Sequence, residues 1–131
     1  MAKQKAAEDE KLIIVNRAEQ TVVAKRGDRL FHKCECVLGR LFHRTPSGKN
    51  FRIESKYSTY TSVKYKAKMN HAMFFTTTGE AIHEYDGEID WRFQRDHQAI
   101  LGSHGCVRVQ KPDAIKLYSW VEVKKTKVWV I

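Results

Sequence analysis

The sequence predicts a mostly β domain with one main helix. Strand-length apolar runs recur between turn signals along most of the chain. Only the segment opening at Pro112 carries the apolar spacing of a helix. The chain closes on Lys127–Ile131, a run of β-branched residues and Trp129.

The elements are predicted as follows. Residues 1–10 are polar and form an N-terminal tail ahead of a domain over 11–131. Lys11–Val15 and Thr21–Ala24 read as strands, and Arg26-Gly27-Asp28-Arg29 as a turn. Leu30–Leu38 alternates roughly apolar and polar, which completes a meander of about three strands. Thr45-Pro46-Ser47-Gly48 is a second turn, and Phe51–Glu54 a short strand. Lys56–Asn70 is polar with little periodicity and is predicted as a long surface loop carrying Tyr57, Tyr60 and Tyr65. Ala72–Thr77 and Glu80–His83 read as strands around Thr78-Gly79, and Glu84–Asp96 as an acidic loop. Pro112 suits the first turn of a helix, Asp113 complements its N-terminus, and Ala114, Ile115, Leu117, Tyr118 and Val121 supply its core stripe.

Composition bounds the function. A chain of 131 residues has room for one domain, and 42% hydrophobic with 30% charged residues fits a globular protein. No run approaches the ~20 apolar residues of a membrane span, so no membrane insertion is expected. No charged segment followed by an apolar one opens the sequence, so no signal peptide is visible. The net charge of +9 sits in residues 1–70, with 16 Lys+Arg against 7 Asp+Glu. Residues 71–131 hold 8 of each. A basic face favours an anionic partner, but zinc-finger spacing, a basic helix and a glycine-rich RNA-binding strand are all missing, so no nucleic-acid partner is expected.

The three cysteines, Cys34, Cys36 and Cys106, make no complete disulfide framework. Cys34 and Cys36 are two apart, share one face of a strand, and read as small core residues rather than metal ligands. The acids Glu84, Asp86, Glu88 and Asp90 do not have the spacing of an EF-hand calcium loop.

The chemistry concentrates in Leu101-Gly102-Ser103-His104-Gly105-Cys106-Val107-Arg108, a polar, glycine-flanked turn leading into a strand. Cys106 needs a base or a lowered pKa to act as a nucleophile. His104 and His83 are both candidates. Gly105 lets a carbonyl approach the amides of Gly105 and Cys106, which could form an oxyanion hole. Arg108 points to the same side of the strand as Cys106 and could hold a carboxylate. The residues alone leave three readings open: acyl transfer by a Cys–His pair, zinc held by His83, His97, His104 and Cys106, and an inert buried thiol.

Ser103-His104-Gly105-Cys106-Val107-Arg108, preceded by His83, resembles the signature of the L,D-transpeptidase catalytic domain family, bacterial cell-wall enzymes. Thr45–Ile53 resembles the family's Thr-Pro-x-Gly-x-Phe stretch. Met69–Phe75, Ala81-Ile82-His83, Asp113-Ala114 and Leu117–Val121 resemble its mid-domain strands and helix, so the likeness covers about residues 11–131. It implies an L,D-transpeptidase-like β-sandwich with its main helix just after the cysteine motif.

The resemblance implies roles as well. Cys106 would be the nucleophile, His83 the base, and His104 a neighbour assisting proton transfer. The backbone carbonyl of Glu84 would orient His83. Ser103 and Gly105 would hold the loop, with the Gly105 and Cys106 amides facing the oxyanion and Arg108 at the carboxylate-bearing end of the substrate. Such enzymes attack the third residue of a peptidoglycan stem tetrapeptide and release the terminal D-alanine. The thioester passes to an amine, giving a 3–3 cross-link, or to water, which is L,D-carboxypeptidase activity. No metal or organic cofactor is implied, and carbapenem β-lactams would acylate Cys106. From their positions in the chain, Tyr60, Tyr65 and the lysines near them could line the stem-peptide cleft, or pack their loop onto the body.

The sequence departs from the pattern in two places. The 19 residues between His83 and Ser103 exceed the usual spacing, and Lys125-Thr126 replaces a Gly-Thr pair. The family implies the periplasm or cell envelope. Without a visible signal, a trimmed mature domain or a secreted effector is expected. A non-catalytic basic module that binds an acidic polymer is the alternative outside enzymology.

Overall fold

A computed structural model of the chain describes residues 9–64 and 66–131. Most of the expected 1–10 tail, and Tyr65, lie outside the described residues. Glu10 is tied to the body: its carbonyl accepts from Gly27 N, and its carboxylate is 2.6 Å from Lys127 Nζ.

The strands β1 (Lys11–Asn16), β2 (Thr21–Arg26) and β3 (Arg29–Glu35) form the expected antiparallel meander. β4 (Gly48–Arg52) and β5 (Ser55–Tyr57) follow, then β6 (Ala72–Phe74), β7 (Ala81–Glu84) and β8 (Val107–Val109), and β9 (Lys127–Val130) closes the chain. One sheet has the order β3-β2-β1-β9-β4, the other β5-β6-β7-β8. Both contain one parallel pair, β1 with β9 and β7 with β8.

Alternation puts one face of each sheet into a shared core. Ile13 and Val15 of β1, Val22 and Ala24 of β2, and Val128 and Val130 of β9 meet Met73, Ile82, Val107 and Val109 of the second sheet. Each of the valine, isoleucine and methionine side chains, fully buried, contributes about 1.5–3 kcal/mol. Cys36 is buried in this core and Cys34 packs against it, as the sequence suggests.

Three helices occur among the described residues: α1 (Trp91–Asp96), α2 (Gln98–Leu101) and α3 (Lys111–Trp120). α3 is the expected main helix; it starts one residue before Pro112 and adds Ala114, Leu117 and Val121 to the core. Ile115 leaves the predicted stripe and is exposed.

The acidic loop expected over Glu84–Asp96 is corrected. Its second half is helical, and Asp90 caps α1 by accepting from Phe93 N at 3.1 Å. The buried residue of α1 is Gln94, a polar side chain that leaves no apolar period to read.

Candidate active site

The register of β7 on β8 builds the site. Ile82 pairs with Val107, and His83 with Arg108. Paired residues of a parallel ladder share a face, and the faces alternate. Ile82 and Val107 therefore point into the core, while His83, Cys106 and Arg108 emerge together on the outer face of the second sheet. Cys106 there packs against a small apolar cluster of Met69, Ala72, Phe74 and Ala81, with Tyr60 beside it. Tyr60 also meets Phe74 edge-on, with ring centroids 4.9 Å apart. Tyr60 thus joins the wall around the thiol; Tyr65 lies outside the described residues. Lys56 is turned elsewhere, donating to the carbonyls of Tyr118 and Val121 near the end of α3.

His83 is buried, and its Nδ1 lies 2.9 Å from the carbonyl oxygen of Glu84. A carbonyl can only accept, so Nδ1 carries the proton and Nε2 holds the lone pair. Burial drives the His83 pKa down to about 4; the Glu84 carbonyl opposes the shift and the Arg108 charge adds to it. The imidazole is neutral at pH 7. Burial pushes the Cys106 thiol up, with the Ala81 backbone N–H and Arg108 opposing and Glu80 adding. Its Sγ is 3.9 Å from the Gly79 carbonyl. The resting pair is thiol and imidazole, not thiolate and imidazolium.

The loop before Cys106 is held from several sides. Ser103 Oγ accepts from Gly105 N at 3.1 Å and donates to the Cys106 carbonyl. Ser103 N donates to the Leu38 carbonyl, and Arg40 N donates to the Ser103 carbonyl. Gly105 has φ +129°, a region that favours glycine. The Gly105 amide, which the resemblance aims at an oxyanion, donates here to Ser103 Oγ.

Arg108 also differs from expectation. Its Nη1 donates to Gln94 Oε1 at 2.6 Å and to the Leu101 carbonyl at 3.1 Å. It braces α1 and α2 against β8, so carboxylate binding is not its main commitment. Sequence reasoning missed Arg40. Its Nη2 lies 2.8 Å from His104 Nε2, which must accept from a guanidinium. His104 is therefore neutral and carries its proton on Nδ1. Burial lowers the His104 pKa, and Arg40, His43, Arg108 and Lys64 add to the shift. Among the described residues no carboxylate forms an ion pair with Arg40 or Arg108. Gly39, just before Arg40, was the one local hint.

The zinc set considered from sequence does not assemble: among the described residues His83, His97, His104 and Cys106 form no cluster of donor atoms. A cavity of about 860 Å³ lies on the five-stranded sheet, lined by Lys49, Phe51, Arg52, Lys125 and Trp129 among others, and includes none of these groups.

A family model described as the YkuD L,D-transpeptidase catalytic domain matches residues 10–130. Among solved structures, an L,D-transpeptidase from Stackebrandtia nassauensis is 28% identical, with TM-score 0.79, covering 93% of this chain and 55% of that one. The C442S mutant of an Enterococcus faecium L,D-transpeptidase is 23% identical, with TM-score 0.79, covering 93% and 50%. LdtMt1 in complex with imipenem is 20% identical, with TM-score 0.77, covering 94% and 59%. The chain thus spans between half and three-fifths of these structures. A search of the curated proteins found no match.

Proposed function

Because the chain belongs to the L,D-transpeptidase catalytic domain family, we propose that it forms 3–3 cross-links between peptidoglycan stem peptides through a thioester on Cys106. The observation that carries this reading is the pairing of β7 with β8: it sets a neutral His83, oriented by the Glu84 carbonyl, on the same face as the thiol.

Cys106 Sγ attacks the carbonyl carbon of the third stem residue as its proton passes to His83 Nε2. With both groups neutral at rest, proton transfer accompanies attack rather than preceding it. The Cys106 amide faces the oxyanion that develops. Collapse breaks the carbon–nitrogen bond to the terminal D-alanine, whose amine takes the proton from His83 Nε2. An amine of a second stem then attacks the thioester and gives its proton to His83, and the thiolate leaves to regain that proton. Arg40, with His104 behind it, would hold a stem carboxylate, and the Met69–Phe74 wall with Tyr60 would take the apolar part of the peptide. The same thiol would be acylated by a carbapenem, as the imipenem complex of a similar structure suggests. The substrate places this reaction in the periplasm or cell envelope.

Purified protein incubated with tetrapeptide-bearing muropeptides tests the reading by product mass. A 3–3 dimer with loss of D-alanine is expected, and Cys106→Ala should yield none. Tripeptide monomer as the sole product would replace cross-linking with L,D-carboxypeptidase activity.

A further inference from the structure

We propose that His32, Cys34 and Asp113 form a binding site for a zinc-type divalent cation, which clips the edge strand β3 to the first turn of α3. His32 and Cys34 are two apart on β3 and so share a face, and Asp113 lies in the first turn of α3. The imidazole nitrogen, thiol sulfur and carboxylate oxygen all lie within 4.8 Å of one another. His32 Nε2 and Asp113 Oδ1 are 2.7 Å apart.

The donor set selects the cation. One nitrogen, one sulfur and one oxygen suit zinc or a related first-row ion, whereas magnesium and calcium call for oxygen alone. Metal bonds of about 2.0–2.3 Å in a tetrahedron put the donors roughly 3.2–3.8 Å apart. The His32–Asp113 pair, 2.7 Å apart, must open by about 0.5 Å, and no pair needs to close by more than about 1 Å, movements within reach of side-chain torsions. The side chains of His32 and Asp113 are 19% and 21% exposed, so a cation can enter and keep a water as fourth ligand. Binding replaces the thiol S–H bond with a sulfur–metal bond and releases that proton to solvent. The site is separate from the Cys106 cleft, since β3 is the outer strand of the other sheet. In the sequence Cys34 lacked partners for a metal; folding brings two from 2 and 79 positions away.

The test uses the full chain carrying Cys106→Ala, which silences the competing reactive thiol. Titration with cobalt(II) is expected to fill one site per chain, with a near-ultraviolet thiolate-to-cobalt band that zinc(II) abolishes by displacement. Adding Cys34→Ser should remove the band, and His32→Gln or Asp113→Asn should weaken binding by at least about tenfold. If Cys34→Ser fails to fold, as judged by circular dichroism, the two polar variants decide. A band that survives loss of Cys34, affinity unchanged in both polar variants, equal competition by magnesium, or no uptake by folded protein would each overturn the site. Because the readout is metal uptake in a catalytically silent variant, its failure leaves the peptidoglycan reading intact.

Discussion

At the scale of single residues, the cysteine motif was legible because its residues are contiguous. Ser103, His104, Gly105 and Cys106 are consecutive, and a thiol beside glycine and imidazole announces itself. Arg40 was not legible, because 64 positions separate it from His104 and only folding joins them. Its charge can be tested apart from its hydrogen bond. Arg40→Gln keeps a donor for His104 Nε2 but removes the cation. A charge-assisted bond is worth about 1.5–3 kcal/mol, so KM for a stem tetrapeptide should rise roughly tenfold to a hundredfold, with kcat much less changed. An unchanged KM with a fallen kcat would make Arg40 a positioning residue for His104 instead. Gly105 carries the opposite lesson: its amide looked available in the sequence, and only the Ser103 hydroxyl shows it occupied.

At the scale of elements, strands were predicted well because their alternation is a core signal, and the core here is continuous. β1, β2 and β9 carry it plainly. α1 and α2 were missed because polar bonds hold them. Gln98 Oε1 accepts from Leu38 N at 2.6 Å and from Gln20 Nε2 at 3.0 Å, and Arg95 donates to the carbonyls of Glu19 and Gln20. The junction between α2 and the cysteine loop is tight at Gly102. A Cβ there would lie 2.5 Å from the Leu38 carbonyl oxygen, 2.6 Å from that of Gln98 and 2.8 Å from Arg40 N, all backbone atoms that cannot swing aside. Gly102→Ala should therefore push the His104 loop off the Arg40 strap. A stability loss of about 1–3 kcal/mol in urea unfolding is expected, with the proposed transpeptidation lost almost completely in protein that is still folded. Wild-type stability and activity would show that the close approach is not needed.

For the whole molecule, burial of a neutral histidine links the site to acid stability. His83 has a folded pKa of about 4 against an ordinary value of 6.5. Between those values the unfolded chain binds the proton and the folded chain does not. The stability this contributes is therefore present above about pH 6.5 and is lost as pH falls to about 4, to a total of about 3 kcal/mol. Urea midpoints measured across that window should fall steadily for the wild type and much less for His83→Asn. Parallel curves for the two proteins would refute the linkage. The mostly β class and the main helix follow from patterns spread along the chain, so the sequence alone conveys them. The assembly of two sheets with their catalytic face turned outward depends on which strands pair, and pairing leaves little trace in one sequence.

The parallel pairing of β7 with β8 has a further consequence. Two parallel neighbours cannot be joined by a tight hairpin, so the chain must leave the sheet after His83 and travel outside it before returning at Cys106. That excursion, anchored at Arg108 and at Gln98, has an exposed middle of Asp86, Gly87, Glu88 and Ile89, closed on itself by the Tyr85 hydroxyl, which accepts from Ile89 N and donates to the Ile89 carbonyl. Length added there leaves the β7–β8 register unchanged, and with it the shared face of His83 and Cys106.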